Sequence, residues 1–382
     1  MKILSIVGVR PQFVKAATIC SAVERFNQRS TETKIAHLLL NTGQHYDHGM
    51  ADIFFQQLPL PVPDYNLEIG SGSHGAQTGA MLEKIEDVLF KDKPDYVVVY
   101  GDTNSTLAGT LAASKLHIPV AHIEAGLRSF NRRMPEEINR IVADHLADVL
   151  LCPTEGACLQ LQREGMFNNV YFTGDVMLDA VQEFAGIAAE RSTALRDIGV
   201  SSKEFILVTI HRAENTDSLD RTGELVETLC ELKRPTVFSM HPRLRAKFDS
   251  TPEYKALGDR LKRAEHVKIT LPLSYLDMLC LEANAQLIMT DSGGVQKEAY
   301  FVATPCLTLR DETEWIETLQ GGWNHVTGTS PKAILPLVKS LWSQNGARPS
   351  CAPSLSAFGD GKAADNILQV LTKTHPEHGN SQ

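Results

Sequence analysis

Tyr96-Val97-Val98-Val99-Tyr100, followed at once by Gly101-Asp102-Thr103, sets the pattern for the whole chain. A short, wholly apolar run of β-branched and aromatic residues reads as a strand buried on both faces, here ending in a polar turn. Matching runs lie at Ile3–Val7, Ile35–Leu40, Val120–Ile123, Val149–Cys152 and Val170–Phe172. A second series comprises Phe205–Ile210, Thr236–Met240, Val267–Ile269, Leu287–Met289 and Cys306–Leu309. Longer amphipathic stretches separate the runs. Both series therefore predict parallel sheets with crossover helices, an α/β chain of two Rossmann-like halves facing one another.

The stretch Glu190–Glu204 is polar, charged and without a strand signal, so it is read as the inter-domain connection. The expected domains are residues 1–189 and 205–360. Lys362–Thr372 reads as one amphipathic helix with Ala363, Ile367, Val370 and Leu371 on a face, and the polar tail from Lys373 as frayed. A length of 382 residues favours two cores over one.

Hydrophobic residues make up 43% of the chain and charged residues 22%, which excludes a disordered chain. The formal net charge of -9 gives no general attraction to nucleic acid or to an anionic membrane, so neither is expected as a partner. The apolar run at the N-terminus is too short for a signal segment or a membrane span, and cytoplasmic placement is expected. Seven cysteines, an odd count without CxxC spacing, read as reduced thiols, mostly in the core. No HExxH or GxSxG occurs, so metal and serine-hydrolase chemistry have no support, and no cofactor is expected.

Ligands of open parallel sheets bind beyond the C-terminal ends of the strands, so the residues just after each run are the candidates. After the first run come Gly8-Val9-Arg10-Pro11-Gln12 and Lys15, with Arg10 and Lys15 placed near a helix N-terminus where phosphate binds well. After Leu287–Met289 comes Thr290-Asp291-Ser292-Gly293-Gly294. Ser292 can cap a helix, the two glycines let backbone N–H groups approach an anion, and Glu298 one turn on can accept both ribose hydroxyls. Asp102 and Glu124 each end a very apolar strand, where partial desolvation would raise a carboxylate toward a range useful for proton transfer. Glu136, in Met134-Pro135-Glu136-Glu137, alone reads as ordinary helix-start chemistry. His211 and His241 each follow a strand with an arginine nearby, which together favours anion binding over a purely structural role.

Taken together, the segments GVRPQFVK, TGQHYD, VVYGDTNSTLAG, HIEAGLRS, MPEEINR, TGDVMLD, TIHRAENT, HPR, TDSGGVQKEA and LRDETEW resemble, in order from Gly8 to Trp315, the non-hydrolysing UDP-N-acetylglucosamine 2-epimerase family. The resemblance implies a GT-B-like architecture whose C-terminal helix returns to the first domain. It implies acid/base roles for Asp102, Glu124, Glu136 and His211, ribose binding by Glu298, and phosphate contacts from Arg10, Ser292, Gly293, Gly294 and His241. It also implies a UDP-sugar substrate, a homodimer and a place in cell-surface polysaccharide biosynthesis. Two departures stand out: Val9 and Gln12 replace Thr and Glu of G-T-R-P-E, and Trp315 and Ile316 replace Arg and Pro of T-E-R-P-E. The Gln and Trp forms are similar to the branch acting on UDP-2,3-diacetamido-2,3-dideoxyglucuronic acid. Gln44 and His45 match a region where some members bind a second, activating UDP-sugar, but Gly70–Gln77 matches it poorly.

The chemistry explains the residue types. The C2 hydrogen of a 2-acetamido sugar is not next to a carbonyl, so direct deprotonation leaves an unstabilised carbanion. Loss of UDP first makes C1 oxocarbenium-like and acidifies C2–H. Two acid/base groups and a cradle for the diphosphate are then needed. A GT-B glycosyltransferase, a hydrolysing epimerase and a UDP-sugar sensor are the competing readings.

Overall fold

A computed structural model describes residues 1–30, 33–44, 58–343, 349 and 351–375. Contacts divide the chain into two compact units, Met1–Ala180 with Leu355–Gln382, and Val181–Ser354.

The first unit holds a seven-stranded parallel sheet of β1 (Lys2–Val7), β2 (Ala36–Asn41), β3 (Tyr65–Asn66), β4 (Tyr96–Tyr100), β5 (Val120–Ile123), β6 (Val149–Cys152) and β7 (Val170–Phe172), in the order β3-β2-β1-β4-β5-β6-β7. Leu4, Ile6, Val97 and Val99 are fully buried on one face against Met81, Ile85 and Leu89 of the helix His74–Asp92 and Ala108 of the helix Asn104–Lys115. The second unit holds a six-stranded parallel sheet of β8 (Ile206–Ile210), β9 (Thr236–Met240), β10 (Val267–Thr270), β11 (Leu287–Thr290), β12 (Cys306–Thr308) and β13 (Asn324–Val326), in the order β10-β9-β8-β11-β12-β13. Its first strand shows why the runs are continuously apolar. Ile206, Val208 and Ile210 enter one core while Phe205 and Leu207 enter another on the opposite face.

The C-terminal helix, Ala363–Thr374, packs against the helix Arg10–Arg29 within the first unit. Its first turn is capped from a distance: the Asp179 carboxylate accepts the Ala363 and Ala364 amides at 3.0 and 2.8 Å. Leu368 is buried with Ala363, Ile367 and Leu371, whereas Val370 is only half-buried.

One expectation fails. Residues 190–204 are not a bare connection but part of the second unit. A short helix, Ala194–Ile198, buries Ala194 in the core under β8, with Leu195, Ile198 and Val200 packed on it. Four apolar residues in a charged background are too few to show as a pattern, yet enough to anchor the segment. The unit boundary lies earlier, within the helix Val176–Arg191. No described helix is long and apolar enough to cross a membrane.

Candidate active site

In the first unit the candidates gather where β1, β4 and β5 end. A side chain on Gly8 has no room: a Cβ there would lie 2.2 Å from the hydroxyls of both Ser105 and Thr42. Gln12, one turn into the helix Arg10–Arg29, is 2% exposed. Its carbonyl oxygen accepts the Gly8 and Val9 amides at 2.8 and 3.3 Å, and its NH2 donates to the Tyr100 carbonyl at 2.7 Å and the Thr103 hydroxyl at 2.9 Å. One amide thus ties the β1 turn to the β4 turn. Lys15 is buried further along the same helix and forms an ion pair with Glu124, so its ammonium meets a carboxylate rather than standing at the helix N-terminus. A Cβ on Gly101 would lie 3.5 Å from the Lys15 ammonium and 3.7 Å from the Glu124 carboxylate, which puts this pair beside the Asp102 turn.

Asp102 is held by Arg140, whose Nη2 donates to its Oδ2 at 2.5 Å. The other arm of Arg140, Nη1, donates to Glu137 at 3.0 Å. Arg140, Glu137 and Glu136 share the helix Pro135–Leu146. Glu137 is the buried acid of the two, and it accepts the Ser129 and Phe130 amides at 2.8 and 2.9 Å. Burial pushes Glu137 up, but these amides, the Ser129 hydroxyl and the Arg140 charge together hold it below the usual carboxylate range. Glu136, one position earlier, is half-buried.

In the second unit the corresponding turns follow β8 and β11. Asp291 is fully buried after β11. It accepts the His211 and Arg212 amides at 3.0 Å each and the Asn215 Nδ2 at 3.0 Å, and lies 2.9 Å from His211 Nδ1. Burial acts to raise Asp291, but the His211 charge and hydrogen bond, with the Arg212 amide and Asn215, hold it below the usual range. His211 is therefore oriented through Nδ1, and its ring stands 5.7 Å, centre to centre, from that of His241. Ser292 caps the helix Gly293–Phe301, its Oγ accepting the Val295 amide at 3.5 Å. Gly293 must be glycine here, because a Cβ would lie 2.9 Å from Glu314 Oε1 and 3.1 Å from Trp315 Nε1. Glu298 is nearly buried on the same helix. Among the described residues, no group of three or more His, Cys, Asp or Glu is placed to hold a metal ion.

Residues 27–372 match the model of the family described as UDP-N-acetylglucosamine 2-epimerase. The chain belongs to the UDP-N-acetylglucosamine 2-epimerase family. It is 44% identical to the UDP-2,3-diacetamido-2,3-dideoxy-D-glucuronate 2-epimerase of Pseudomonas aeruginosa, over 98% of this chain and 100% of that one. It is also 44% identical to the UDP-N-acetylglucosamine 2-epimerase of Methanocaldococcus jannaschii, over 97% of this chain and 99% of the other. The crystal structure of a Methanocaldococcus jannaschii UDP-GlcNAc 2-epimerase in complex with UDP-GlcNAc and UDP superposes with a TM-score of 0.89 at 43% identity, covering 98% of this chain and 100% of that one. The fold of this epimerase family member is thus the GT-B-like pair of parallel α/β units, and its class is that of an isomerase.

The structure adds Arg140 and Asp291, to which the sequence reading gave no role, and gives a structural role to Gln12, read there only as a departure from the family pattern. Each of the three locks a candidate residue or turn in place. Their signal was the long-range hydrogen bond, which no local pattern shows. The desolvation argument for Asp102 and Glu124 likewise left out their cation partners, Arg140 and Lys15. His45, part of the activator-like region, lies outside the described residues.

Proposed function

We propose that this epimerase interconverts the C2 epimers of a UDP-2-acetamido sugar by eliminating UDP and adding it back. The observation that carries the reading is the pair of carboxylates at neighbouring strand ends of the first unit. Asp102 and Glu124 follow β4 and β5, and each is held by a cation from a different helix. In the elimination, the C1–O bond breaks with its electrons going to UDP, and the C2 proton goes to a carboxylate. A 2-acetamidoglycal and UDP result. Re-addition reverses both steps, with the proton delivered to the other face of C2. Asp102, Glu124, Glu136 and His211 form the acid/base set of this reading. His211 has its Nδ1 fixed by Asp291, which leaves Nε2 as the nitrogen that works.

The second unit serves the leaving group. Ser292 and the Gly293 and Gly294 amides open a nine-residue helix, a natural seat for a diphosphate, and Glu298 takes the ribose hydroxyls. Arg10 and His241 complete the phosphate contacts, and Lys15 acts through Glu124. Gln12 and Trp315, two of the four letters that set this chain apart from the common pattern, are held within the fold. Gln12 is engaged by backbone on both sides, and Trp315, 2% exposed, carries the buried Lys297 ammonium 3.7 Å above its ring. The substrate class proposed is therefore the UDP-2-acetamido sugars as a group. The same reading takes the working form to be a cytoplasmic homodimer, which sedimentation of the purified protein tests for the dimer.

Incubation with UDP-N-acetylglucosamine alone, and separately with the diacetamido uronic acid, tests the function. Formation of the 2-epimer without an acceptor is the expected result. Stoichiometric release of UDP would make the enzyme a hydrolase, and no reaction with any UDP-2-acetamido sugar would return it to the transferase reading.

A further inference from the structure

His122 lies in β5, two residues before Glu124, and is completely buried. Both its ring nitrogens are engaged. Nδ1 is 2.7 Å from Asp144 Oδ1, and Nε2 is 2.7 Å from the Gly101 carbonyl oxygen. A carbonyl can only accept. Asp144 is also committed as an acceptor: its Oδ2 takes the Arg128 Nη1 at 2.6 Å and the Gly126 amide at 3.1 Å. Burial works to raise Asp144, but the His122 and Arg128 hydrogen bonds and charges hold it below the usual carboxylate range. Arg128 is in turn gripped by Glu164, at 2.8 and 2.7 Å. A neutral imidazole has one lone-pair nitrogen, and neither partner of His122 can donate to it.

The groups pinned by this network are close to the reacting ones in the proposed chemistry. The Gly101 carbonyl precedes Asp102, and the Gly126 amide follows Glu124 by two residues. Glu124 itself has a φ of 74°, a left-handed conformation that a non-glycine residue keeps only where the surroundings fix it. Its amide and that of Ala125 both donate to the Leu151 carbonyl, at 3.1 and 3.2 Å, which holds the turn from the β6 side.

We propose that His122 is a positioning residue: a buried imidazolium that ties the turn carrying Asp102 to the turn carrying Glu124, and so sets the spacing of the two carboxylates. It touches no substrate and acts only through them. The inference rests on the reading that these carboxylates move the proton. The charge of the ring and the bridging role are tested separately, because one readout needs no activity.

The test uses the full chain, labelled with 15N-histidine. The His122 ring is expected to show two protonated nitrogens and no pyridine-type nitrogen at the pH of the assay. A neutral ring with one unprotonated nitrogen would overturn the proposal whatever the kinetics. His122→Gln removes the cation and one of the two links. A displacement on the scale of an ångström lowers turnover roughly 10²-fold, and that loss in kcat, with UDP affinity on the second unit unchanged, is the expected outcome. Normal kcat in a folded His122→Gln would sink the idea. If that variant does not fold, Asp144→Glu keeps the charge while shifting the ring. Lowered kcat at unchanged UDP affinity supports the proposal there, and unchanged kcat contradicts it. Should Asp102→Asn and Glu124→Gln both retain turnover, the acid/base reading fails instead, and the NMR result still stands.

Discussion

Both sheets set their first and fourth strands side by side, β1 with β4 and β8 with β11, and both lock the turns above that pair with one buried side chain. In the first unit the lock is the neutral amide of Gln12, which accepts from the β1 turn and donates to the β4 turn. In the second it is the carboxylate of Asp291, which only accepts, from the His211 and Arg212 amides after β8. Electrostatics are thereby inverted on one topology. The first unit keeps its lock neutral and places carboxylates at the strand ends, each answered by a cation from a helix. The second buries its negative charge in the lock and leaves a histidine and a capped helix N-terminus at the strand ends. Proton transfer suits the first arrangement and anion binding the second.

The largest effect is expected from emptying the first unit of its bases. Asp102→Asn or Glu124→Gln keeps shape and removes the proton acceptor, so kcat should fall by about 10²–10⁴ while UDP affinity stays nearly intact. Steady-state kinetics together with calorimetric UDP titration measures both. A variant that folds and turns over normally marks its residue as structural. The matching cut in the second unit should act on the other parameter. Glu298→Ala should raise KM roughly 10- to 150-fold, the equivalent of about 1.5–3 kcal/mol for a lost charged hydrogen-bond acceptor, with kcat little changed. A collapsed kcat at normal KM would reverse the assignment.

Much of this division was legible in the sequence, and the reason is physical. Tyr96–Tyr100, Val120–Ile123, Val149–Cys152 and Thr236–Met240 have the same ends as the apolar runs, because a strand buried on both faces is apolar along most of its length. The edge strands Tyr65–Asn66 and Asn324–Val326 were invisible, being too short and too polar to form a run. Asp102, Glu124, His211 and Ser292 stood out because they follow strands. Arg140, Asp144 and His122 did not, because their meaning lies in partners far along the chain. Asp144 meets Arg128 from another element, and Arg140 reaches Asp102 across 38 positions.

The locks themselves give the smaller effects. Asp291→Asn puts an amide NH2 where donors already point, which should cost about 1–3 kcal/mol of stability. The pH dependence has a definite sign. Asp291 titrates below the ordinary carboxylate value of about 3.9, so its contribution is complete above that pH and is lost as pH falls below it through the native value. Melting temperatures of both proteins across the acid range should show that loss reduced in Asp291→Asn. Equal acid-side slopes would remove Asp291 from the account. Gln12→Glu takes a donor from the Tyr100 carbonyl and should cost about 1 kcal/mol. Because Gln12 is engaged by backbone, the ratio of kcat/KM for UDP-N-acetylglucosamine to that for the diacetamido uronic acid should not move. A changed ratio would give Gln12 a part in sugar choice.

The central claim is that a proton leaves C2 while UDP is off the sugar, and isotope exchange tests it most directly. Epimerisation run in D₂O should place deuterium at C2 of the product and nowhere else, since a protonated carboxylate near water exchanges before it reprotonates the glycal. Traces of UDP and 2-acetamidoglycal should accumulate at long times. Product that keeps its original C2 hydrogen in D₂O, with no glycal, would contradict elimination and re-addition even if the epimer forms.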